Sequence, residues 1–340
     1  MHTTIRCLLL AALLQPAFAQ ELGDDWPHWA YGYLGQPTAD EMAVVPPCHK
    51  DATPRSCGPT GPPLVDDGIK HTLPGTSASF TRVEANYSWA PADWYPGDHP
   101  EMPEIVATGR RDAGIRPCAL CHLPNGQGKM ENGHVTGLPV NYFLQQLEAF
   151  AAGERVSADP RKANTNEMAR IASALTDIEK QQAAEYFSSI KFRSMVRVVE
   201  SEQAPQVRFT LNRLGLPIED APFVPLGQRI IEVPENPEHT EVMRDPRGTF
   251  IAYVPPGSIA KGEQLVTGNG NPAVACRTCH GPELKGIGDI PAINGRTASY
   301  IVRQLWDVKQ GTRNSPLMAP VVANLSAADM LNIAAYLATL

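Results

Sequence analysis

The stretch Cys118-Ala119-Leu120-Cys121-His122 organises this chain, because the same pattern returns at Cys276-Arg277-Thr278-Cys279-His280. C-x-x-C-H is the attachment signature of a c-type haem. Two thiols at this spacing can form thioethers with the two vinyl groups of one porphyrin, and the adjacent histidine reaches the iron. A thioredoxin-like redox pair would need a surrounding βαβ pattern, and a zinc site would need two further ligands nearby. Two copies in a repeated context predict two covalently bound haem c groups.

Length and composition indicate a globular protein with room for two domains. The chain has 340 residues, of which 19% are charged and 43% hydrophobic, and its 32 prolines indicate long stretches of irregular backbone. Its net charge of -7 argues against nucleic acid as a partner, because proteins that bind nucleic acid neutralise phosphates with basic side chains. A basic docking face on another protein fits this charge better.

The first 19 residues have the pattern of a secretory signal peptide. Arg6 precedes an apolar run from Cys7 to Leu14, and Ala17-Phe18-Ala19 before Gln20 fits a small-x-small cleavage site. A short buried helix is the alternative. The run is too short to span a bilayer, and no later stretch is long enough. We therefore expect a periplasmic protein, secreted across the cytoplasmic membrane, with no transmembrane anchor of its own.

The cysteine count leaves one further pair. Six cysteines follow the predicted signal peptide, and four of them belong to the haem motifs. The other two, Cys48 and Cys57, lie in a Pro- and Gly-rich loop, and in an oxidising compartment a disulfide is the default interpretation. The alternative is that Cys48-His49 and Cys57 bind a metal or that one of these cysteines ligates iron, although nothing else in the loop completes a site.

Composition and periodicity divide the mature chain into four segments. Residues 20–100 are rich in Pro, Gly and aromatic residues, and we predict that this extension wraps a neighbouring domain rather than forming a docking surface for a redox partner. Residues 101–192 and 258–340 have amphipathic helical patterns. Residues 193–257 contain short β-branched runs between Pro, Asn and Gly, which predict a structured, strand-containing connector, here called the strap.

An internal repeat relates the two helical segments. A shift of 158 residues aligns their first parts, and after a gap of eight a shift of 150 aligns the rest. The matched pairs include Cys118 and Cys276, Pro124 and Pro282, Gly128 and Gly286, Tyr142 and Tyr300, Gln146 and Gln304, Gly153 and Gly311, Arg155 and Arg313, Met168 and Met318, Thr176 and Ser326, and Tyr186 and Tyr336. So many matches indicate two homologous haem domains.

The repeat also indicates the distal iron ligands. Each copy has a methionine, Met168 or Met318, seven residues before the Leu-Thr or Leu-Ser pair that opens its last helix. We predict that an irregular loop carries each thioether to the open face of its haem. The alternative is that they are core methionines, and Met130 and Met195 also belong to the first half. The predicted haem-binding residues are Cys118, Cys121, His122 and Met168 for the first haem, and Cys276, Cys279, His280 and Met318 for the second.

Both halves resemble class I cytochrome c domains, and the whole resembles bacterial dihaem cytochromes c built from two of them. The resemblance covers residues 101–192 and 258–340. It implies a mostly α fold in which an N-terminal helix crosses a C-terminal helix, with the irregular extension and the short β-containing connector added to it. Pro291 stands where such domains often place a proline whose carbonyl accepts from the proximal imidazole, and the repeat places Gly133 there in the first half. Because the acceptor is backbone, the bond can also form there.

His/Met ligation predicts an electron-transfer protein, because a six-coordinate iron has no open site for oxygen or peroxide. We expect single electrons to pass from a dehydrogenase or quinol-oxidising complex to an oxidase or another cytochrome, and no catalytic residue is predicted. The alternative is a dihaem peroxidase or an oxidoreductase of small sulfur compounds, which needs a displaceable ligand and acid/base groups. Glu131 and His134 could serve, although each is interpreted as a surface loop residue. A third hypothesis, compatible with the first, is a subunit that docks on a dehydrogenase or membrane complex.

Overall fold

The computed structural model of the chain describes residues 26–35, 38, 65–268 and 275–340. The predicted signal peptide and the predicted Cys48–Cys57 disulfide lie outside the described residues. Within those ranges the chain is mainly helical, with three small sheets in its centre. No helix in the described part is long and apolar enough to cross a membrane.

The described part of the N-terminal extension is mostly irregular and contains one short α-helix, α1 (Arg82–Ala85). Several of its aromatic side chains are buried against other parts of the chain. Trp26 and Tyr31 belong to the core of the second helical segment, and Trp94 packs beside Met243 of the strap. The indole nitrogen of Trp94 donates to the Met243 carbonyl at 2.7 Å. This burial agrees with the prediction that the extension wraps its neighbours.

The first helical unit follows the extension and contains five α-helices. They are α2 (Glu104–Ala107), α3 (Cys118–His122), α4 (Val140–Ala151), α5 (Ala163–Ala174) and α6 (Asp177–Ser189). Phe143 and Leu147 lie one turn apart on α4 and are buried in one core with Phe187 of α6. Thr176 and Glu179 form a capping box that begins α6, as predicted for the last helix of this unit.

The strap contains seven short strands. They are β1 (Val196–Glu200), β2 (Gln203–Ala204), β3 (Val207–Phe209), β4 (Gly215–Pro217), β5 (Val224–Pro225), β6 (Ile231–Pro234) and β7 (Phe250–Val254). In the largest sheet β7 is central, parallel to β1 and antiparallel to β6, with Val196 opposite Phe250 and Ile231 opposite Tyr253. The other sheets are the antiparallel pairs of β2 with β5 and β3 with β4. The β-branched runs therefore do form strands.

The second helical unit contains α7 (Ser258–Thr267), α8 (Cys276–His280), α9 (Ala298–Lys309), α10 (Ala319–Val322) and α11 (Ala327–Leu337). Its first and last helices cross at Gly262 of α7. A Cβ atom at this position would collide with the carbonyl of Asn332 on α11, so only glycine permits so close a crossing. The crossing of an N-terminal and a C-terminal helix is the arrangement that the family resemblance implied.

The two helical units repeat each other in structure as well as in sequence. A shift of 158 residues converts the bounds of α4 into those of α9, and a shift of 150 converts the start of α6 into that of α11. The amide of Gly128 donates to the carbonyl of His122 at 2.8 Å, and that of Gly286 to His280 at 2.9 Å. The two halves therefore share one fold, each with its own hydrophobic core.

Candidate functional site

Each attachment motif forms a one-turn helix, α3 or α8, beside the core of its own unit. Cys118 packs against the first core and Cys276 against the second. All four cysteines of the two motifs are free thiols, so each can form a thioether. Burial raises the pKa of Cys118 to about 12 and also raises the pKa of Cys121. A reactive redox pair needs a lowered thiol pKa, so the thioredoxin-like interpretation is disfavoured.

The two proximal histidines have matching hydrogen bonds. His122 Nδ1 lies 2.8 Å from the carbonyl oxygen of Gly133, and His280 Nδ1 lies 2.8 Å from that of Pro291. Because a carbonyl can only accept, Nδ1 carries the proton, and the lone pair stays on Nε2 for a metal. Burial lowers the pKa of both imidazoles, although the carbonyl contacts oppose this shift. Burial therefore favours the neutral form of both histidines, and the bond expected at Gly133 is present.

The predicted distal methionines are placed on different kinds of backbone. Met168 lies inside α5, so the prediction that an irregular loop carries it is wrong. The polar run before Met168 has no apolar period, and packing of α5 against α4 decides its helical state. Met318 stands in a turn, at the N-cap of α10. Each methionine is half-buried against the core that its attachment cysteine, Cys118 or Cys276, also contacts.

The other methionines considered for the first unit pack elsewhere. Met130 and Met195 are 4% and 3% exposed, and they form a separate cluster with Leu214, Leu216 and Phe250 of the strap. Their side chains are thus already used to join the strap to the first unit. Met168, by contrast, packs against the core that Cys118 also contacts.

Arg155 and Arg313 lie side by side where the two units meet, and their backbones form an antiparallel bridge. Each guanidinium reaches into the other unit. Arg155 donates to Gln304 at 2.8 Å and Tyr300 at 3.4 Å, and Arg313 donates to Tyr142 at 2.7 Å and Gln146 at 3.2 Å. These contacts are related by the 158-residue shift, so an approximate two-fold axis passes between the two arginines.

The donor set of each unit fits a haem c. Two free thiols, a neutral imidazole with a free Nε2 and a half-buried thioether are present in each half. The side chains that accept from Arg155 and Arg313 are amides and phenols, which carry no negative charge. Burial and the neighbouring Arg313 guanidinium lower the pKa of Arg155, which shows that its charge is not fully compensated. This buried positive charge suits an anionic group, and a haem carries two propionate carboxylates.

The two attachment motifs differ in their accessibility. The strap covers the loop after α3: Asn125 Nδ2 donates to Pro246 at 2.7 Å, and Gln127 Nε2 donates to Gly248 at 3.3 Å. Arg244 also donates to the carbonyl of Leu120, within the motif. In the second unit the matched loop is largely exposed, and Cys279 is exposed with it. The exposed fractions of Ile287, in this loop, and of Leu317, next to Met318, are 55% and 83%.

Glu131 and His134 are not surface residues, contrary to the sequence interpretation. They are 3% and 2% exposed because the strap and the second unit cover their loop. Lys129 lies 3.4 Å from Glu131 and 3.2 Å from Glu241. Burial lowers the pKa of His134 far below its ordinary value. Neither side chain is therefore open to solvent, so these two residues do not offer an accessible acid/base pair.

Several residues that shape the two sites were not recognised in the sequence. Arg155 and Arg313 are one of the matched pairs. An arginine at the same position in both copies was the signal that could have identified them. Arg244, Arg296 and Arg303 are not repeated and belong to no motif. Their contacts depend on how the strap and the second unit pack on the first.

Comparisons with known proteins were consistent with this geometry. The family described as cytochrome c oxidase, cbb3-type, subunit III, matches residues 259–337. Cytochrome c4 of Azotobacter vinelandii is 33% identical over 242 residues, covering 68% of this chain and 87% of the relative. Cytochrome c4 of Stutzerimonas stutzeri is 31% identical over 247 residues, covering 68% of this chain and 89% of the relative.

Other matches are shorter. A thiosulfate dehydrogenase electron acceptor of Stutzerimonas stutzeri (strain A1501) is 40% identical over 82 residues, which are 23% of this chain and 38% of that relative. The chain thus spans less than half the length of some of the relatives it matches. Among solved structures, reduced recombinant cytochrome c4 from Pseudomonas stutzeri aligns with 66% of this chain and 93% of its own, at 23% identity and a TM-score of 0.40.

Proposed function

Because this chain belongs to the cytochrome c4 family and is a dihaem c-type cytochrome, we propose that it carries single electrons from a dehydrogenase or quinol-oxidising donor to a downstream oxidase or cytochrome. Each haem, when bound, supplies one-electron oxidation and reduction of its iron. The observation that carries the proposal is that both units hold a full set of attachment thiols, a neutral imidazole and a thioether.

We assign the two haem domains to residues 101–192 and 258–340. In this assignment the first haem is held by Cys118, Cys121, His122 and Met168, and the second by Cys276, Cys279, His280 and Met318. The cysteines fix the porphyrin covalently, and the carbonyls of Gly133 and Pro291 orient the imidazoles. With haem bound, the two thioethers would be the distal donors to the irons, which would leave no open position for oxygen or peroxide and would favour the reduced state.

The enzyme alternative has no structural support in the residues it would use. A peroxidase needs an acid/base group that a substrate can approach, and Glu131 and His134 are buried. We therefore propose an electron carrier without a catalytic residue of its own. The name of one relative, a thiosulfate dehydrogenase electron acceptor, makes a thiosulfate dehydrogenase the first donor to test.

We place this carrier in the periplasm. The support is the apolar run from Cys7 to Leu14 with its small-x-small site, together with the two haem attachment motifs, because covalent haem attachment belongs in that compartment. The Cys48–Cys57 disulfide is part of the same proposal, since these cysteines would then be in an oxidising environment.

A spectroelectrochemical titration of the full chain tests the proposed function. We expect two one-electron steps, low-spin spectra in both oxidation states and a methionine-to-iron charge-transfer band in the ferric protein. Carbon monoxide is expected to bind slowly or not at all, because both irons are saturated. Rapid carbon monoxide binding at either centre, or turnover of peroxide, would contradict the carrier function and favour a reactive site.

The strap covers the first attachment motif and leaves the second exposed. We therefore expect electrons to be exchanged with protein partners through the second unit. Leu317 is 83% exposed beside Met318, and an aspartate there would place an unpaired charge in the contact. We expect this charge to weaken the contact with a thiosulfate dehydrogenase by about 1.4 kcal/mol. Leu317→Asp should therefore slow reduction by that enzyme roughly tenfold, while reduction by a small reagent stays unchanged. Stopped-flow absorbance measures both rates.

The matched control is Ile178→Asp, because Ile178 is 71% exposed on α6 of the first unit. We expect this variant to accept electrons from the enzyme at the wild-type rate. Equal slowing by Leu317→Asp and Ile178→Asp, or no slowing by either, would show that electrons are not exchanged with the enzyme through the second unit.

A further inference from the structure

The loop that orients the first proximal histidine differs from its counterpart at one critical position. Gly133 supplies the acceptor carbonyl in the first unit, whereas Pro291 does so in the second. Proline restricts its own backbone dihedral φ, and glycine is the least restricted residue. The two acceptor bonds nevertheless have the same length of 2.8 Å. Some other contact must therefore hold the loop around Gly133.

Within its own unit the loop is held by Asn132 Nδ2, which donates to the Cys121 carbonyl at 3.2 Å, and by the Val135 amide, which donates to the Gly126 carbonyl at 3.0 Å. Two arginines of the second unit add contacts that the Pro291 loop lacks. Arg296 donates to the carbonyl of His134 at 3.1 Å and to that of Thr136 at 3.4 Å. Arg303 donates to the carbonyl of Met130 at 2.7 Å. The carbonyls on both sides of Gly133 are therefore fixed by guanidinium groups that belong to the other unit. These contacts also satisfy backbone acceptors that are buried away from water.

The two arginines are buried and packed against aromatic rings, so their contacts with the loop are fixed. Arg296 and Arg303 are 3% and 5% exposed. The guanidinium of Arg296 lies 4.3 Å from the ring centroid of Phe192, and the ring of Tyr300 packs against Gly133. Burying a guanidinium costs free energy unless its N–H donors are paired. The loop carbonyls pair these donors, so the buried arginines and the loop stabilise each other.

The repeat shows that this arrangement exists on one side only. The 158-residue shift places Leu138 at the position of Arg296 and Gln145 at that of Arg303. Leu138 packs in the core of its own unit, and Gln145 is exposed. The first unit reaches the Pro291 loop instead through Asn141, which donates to Asp289 at 3.1 Å. The arginines thus occur only opposite the loop that lacks the proline.

We propose that Arg296 and Arg303 are positioning residues for the first haem. By clamping the Met130–Thr136 loop, they keep the Gly133 carbonyl hydrogen-bonded to His122 Nδ1. Packing of the second unit against the first thereby sets the reduction potential of the first iron. This rests on the proposed function, in which His122 is an iron ligand. A hydrogen bond from Nδ1 makes the imidazole a stronger donor, which stabilises ferric iron. Loosening the loop raises the first potential, whereas simple loss of positive charge near the haem lowers it.

Arg296→Lys separates these two effects, because a lysine keeps the charge but presents a compact ammonium in place of a planar fork. We expect the potential of the first haem to rise while that of the second stays constant. Hydrogen–deuterium exchange is expected to increase over residues 128–137 and not over 286–295. Adding Gly133→Pro, which copies the second unit, is expected to return the first potential towards the wild-type value.

Arg229→Lys is the matched control, because Arg229 also bridges two backbone carbonyls, those of Leu226 and Pro225, within the strap. It is expected to leave both potentials unchanged. If Arg296→Lys does not fold, Arg303→Lys tests the same clamp through Met130. A folded clamp variant with unchanged exchange and an unchanged first potential, or with both potentials shifted equally, overturns the inference. A wild-type protein without two His/Met irons overturns the proposed function instead.

Discussion

Replacing Cys118 and Cys121 together with alanine is expected to remove one haem from every chain. Both thioethers of the first porphyrin would be lost, and a non-covalent haem would depend on its axial ligands alone. The intact mass should then fall by one haem beyond the mass of the two sulfur atoms. The c-type absorbance per chain should fall to roughly half, because each of the two motifs holds one haem. Mass spectrometry and a haem stain measure these quantities.

The matched variant, Cys276→Ala with Cys279→Ala, is expected to have the same effect on the other haem. The first pair is also expected to destabilise the fold more, because Cys121 is half-buried whereas its counterpart Cys279 is exposed. Substituting all four cysteines should leave a colourless chain. A wild-type protein without covalent haem, or a double variant that retains both, would contradict the assignment on which the carrier function depends.

Met318→Ala is expected to abolish the methionine-to-iron charge-transfer band of one haem in the ferric protein. Loss of the thioether opens the sixth position, so carbon monoxide should bind rapidly to that iron. The reduction potential of the same haem should fall on the order of 0.1 V or more, since axial ligands set haem potentials over a range of roughly 0.8 V. Ferric and ferrous spectra during a potentiometric titration measure the ligand and the potential together.

Met168→Ala is the matched variant for the first haem, and it also assigns the two potentials to their units. Met130→Leu is the control, because Met130 is buried against the strap and leucine conserves its volume. We expect Met130→Leu to keep both charge-transfer bands. An unchanged spectrum in Met318→Ala would reassign that ligand, and loss of a band in Met130→Leu would replace Met168 by Met130.

The strap is the part of the structure that makes the two haem sites unequal. In the first unit it covers the attachment loop through Asn125, Gln127 and Arg244, and it buries Met130 in its own cluster. The second unit has no such cover over Cys279 among the described residues. Two copies of one fold therefore have unequal attachment motifs, one covered by the strap and one exposed.

The interface between the units is the second source of inequality. Arg155 and Arg313 exchange equivalent contacts across the approximate two-fold axis, so they treat the two units alike. Arg296 and Arg303 break this symmetry, because their counterparts Leu138 and Gln145 do not hold the opposite loop. The coupling that we propose for the first iron follows from this difference.

The sequence by itself determined the features that depend on neighbours along the chain. The C-x-x-C-H spacing specified the cofactor, because thioethers and the proximal imidazole act within one helical turn. The capping residue Thr176 and the apolar period of α4 predicted their helices, and the 158-residue shift revealed the duplication. It also indicated Met168 and Met318, although not the helix that carries Met168.

Only the tertiary structure decided the features that depend on contacts between distant residues. The cover over the first attachment loop and the clamp on the Gly133 loop come from residues more than 100 positions away along the chain, and the burial of Glu131 and His134 comes from the same packing of distant segments. No local period or motif encodes such contacts, because burial and hydrogen bonding there depend on how the strap and the second unit pack. Attachment of the haems is therefore a local property of this chain, and the difference between them is a property of its packing.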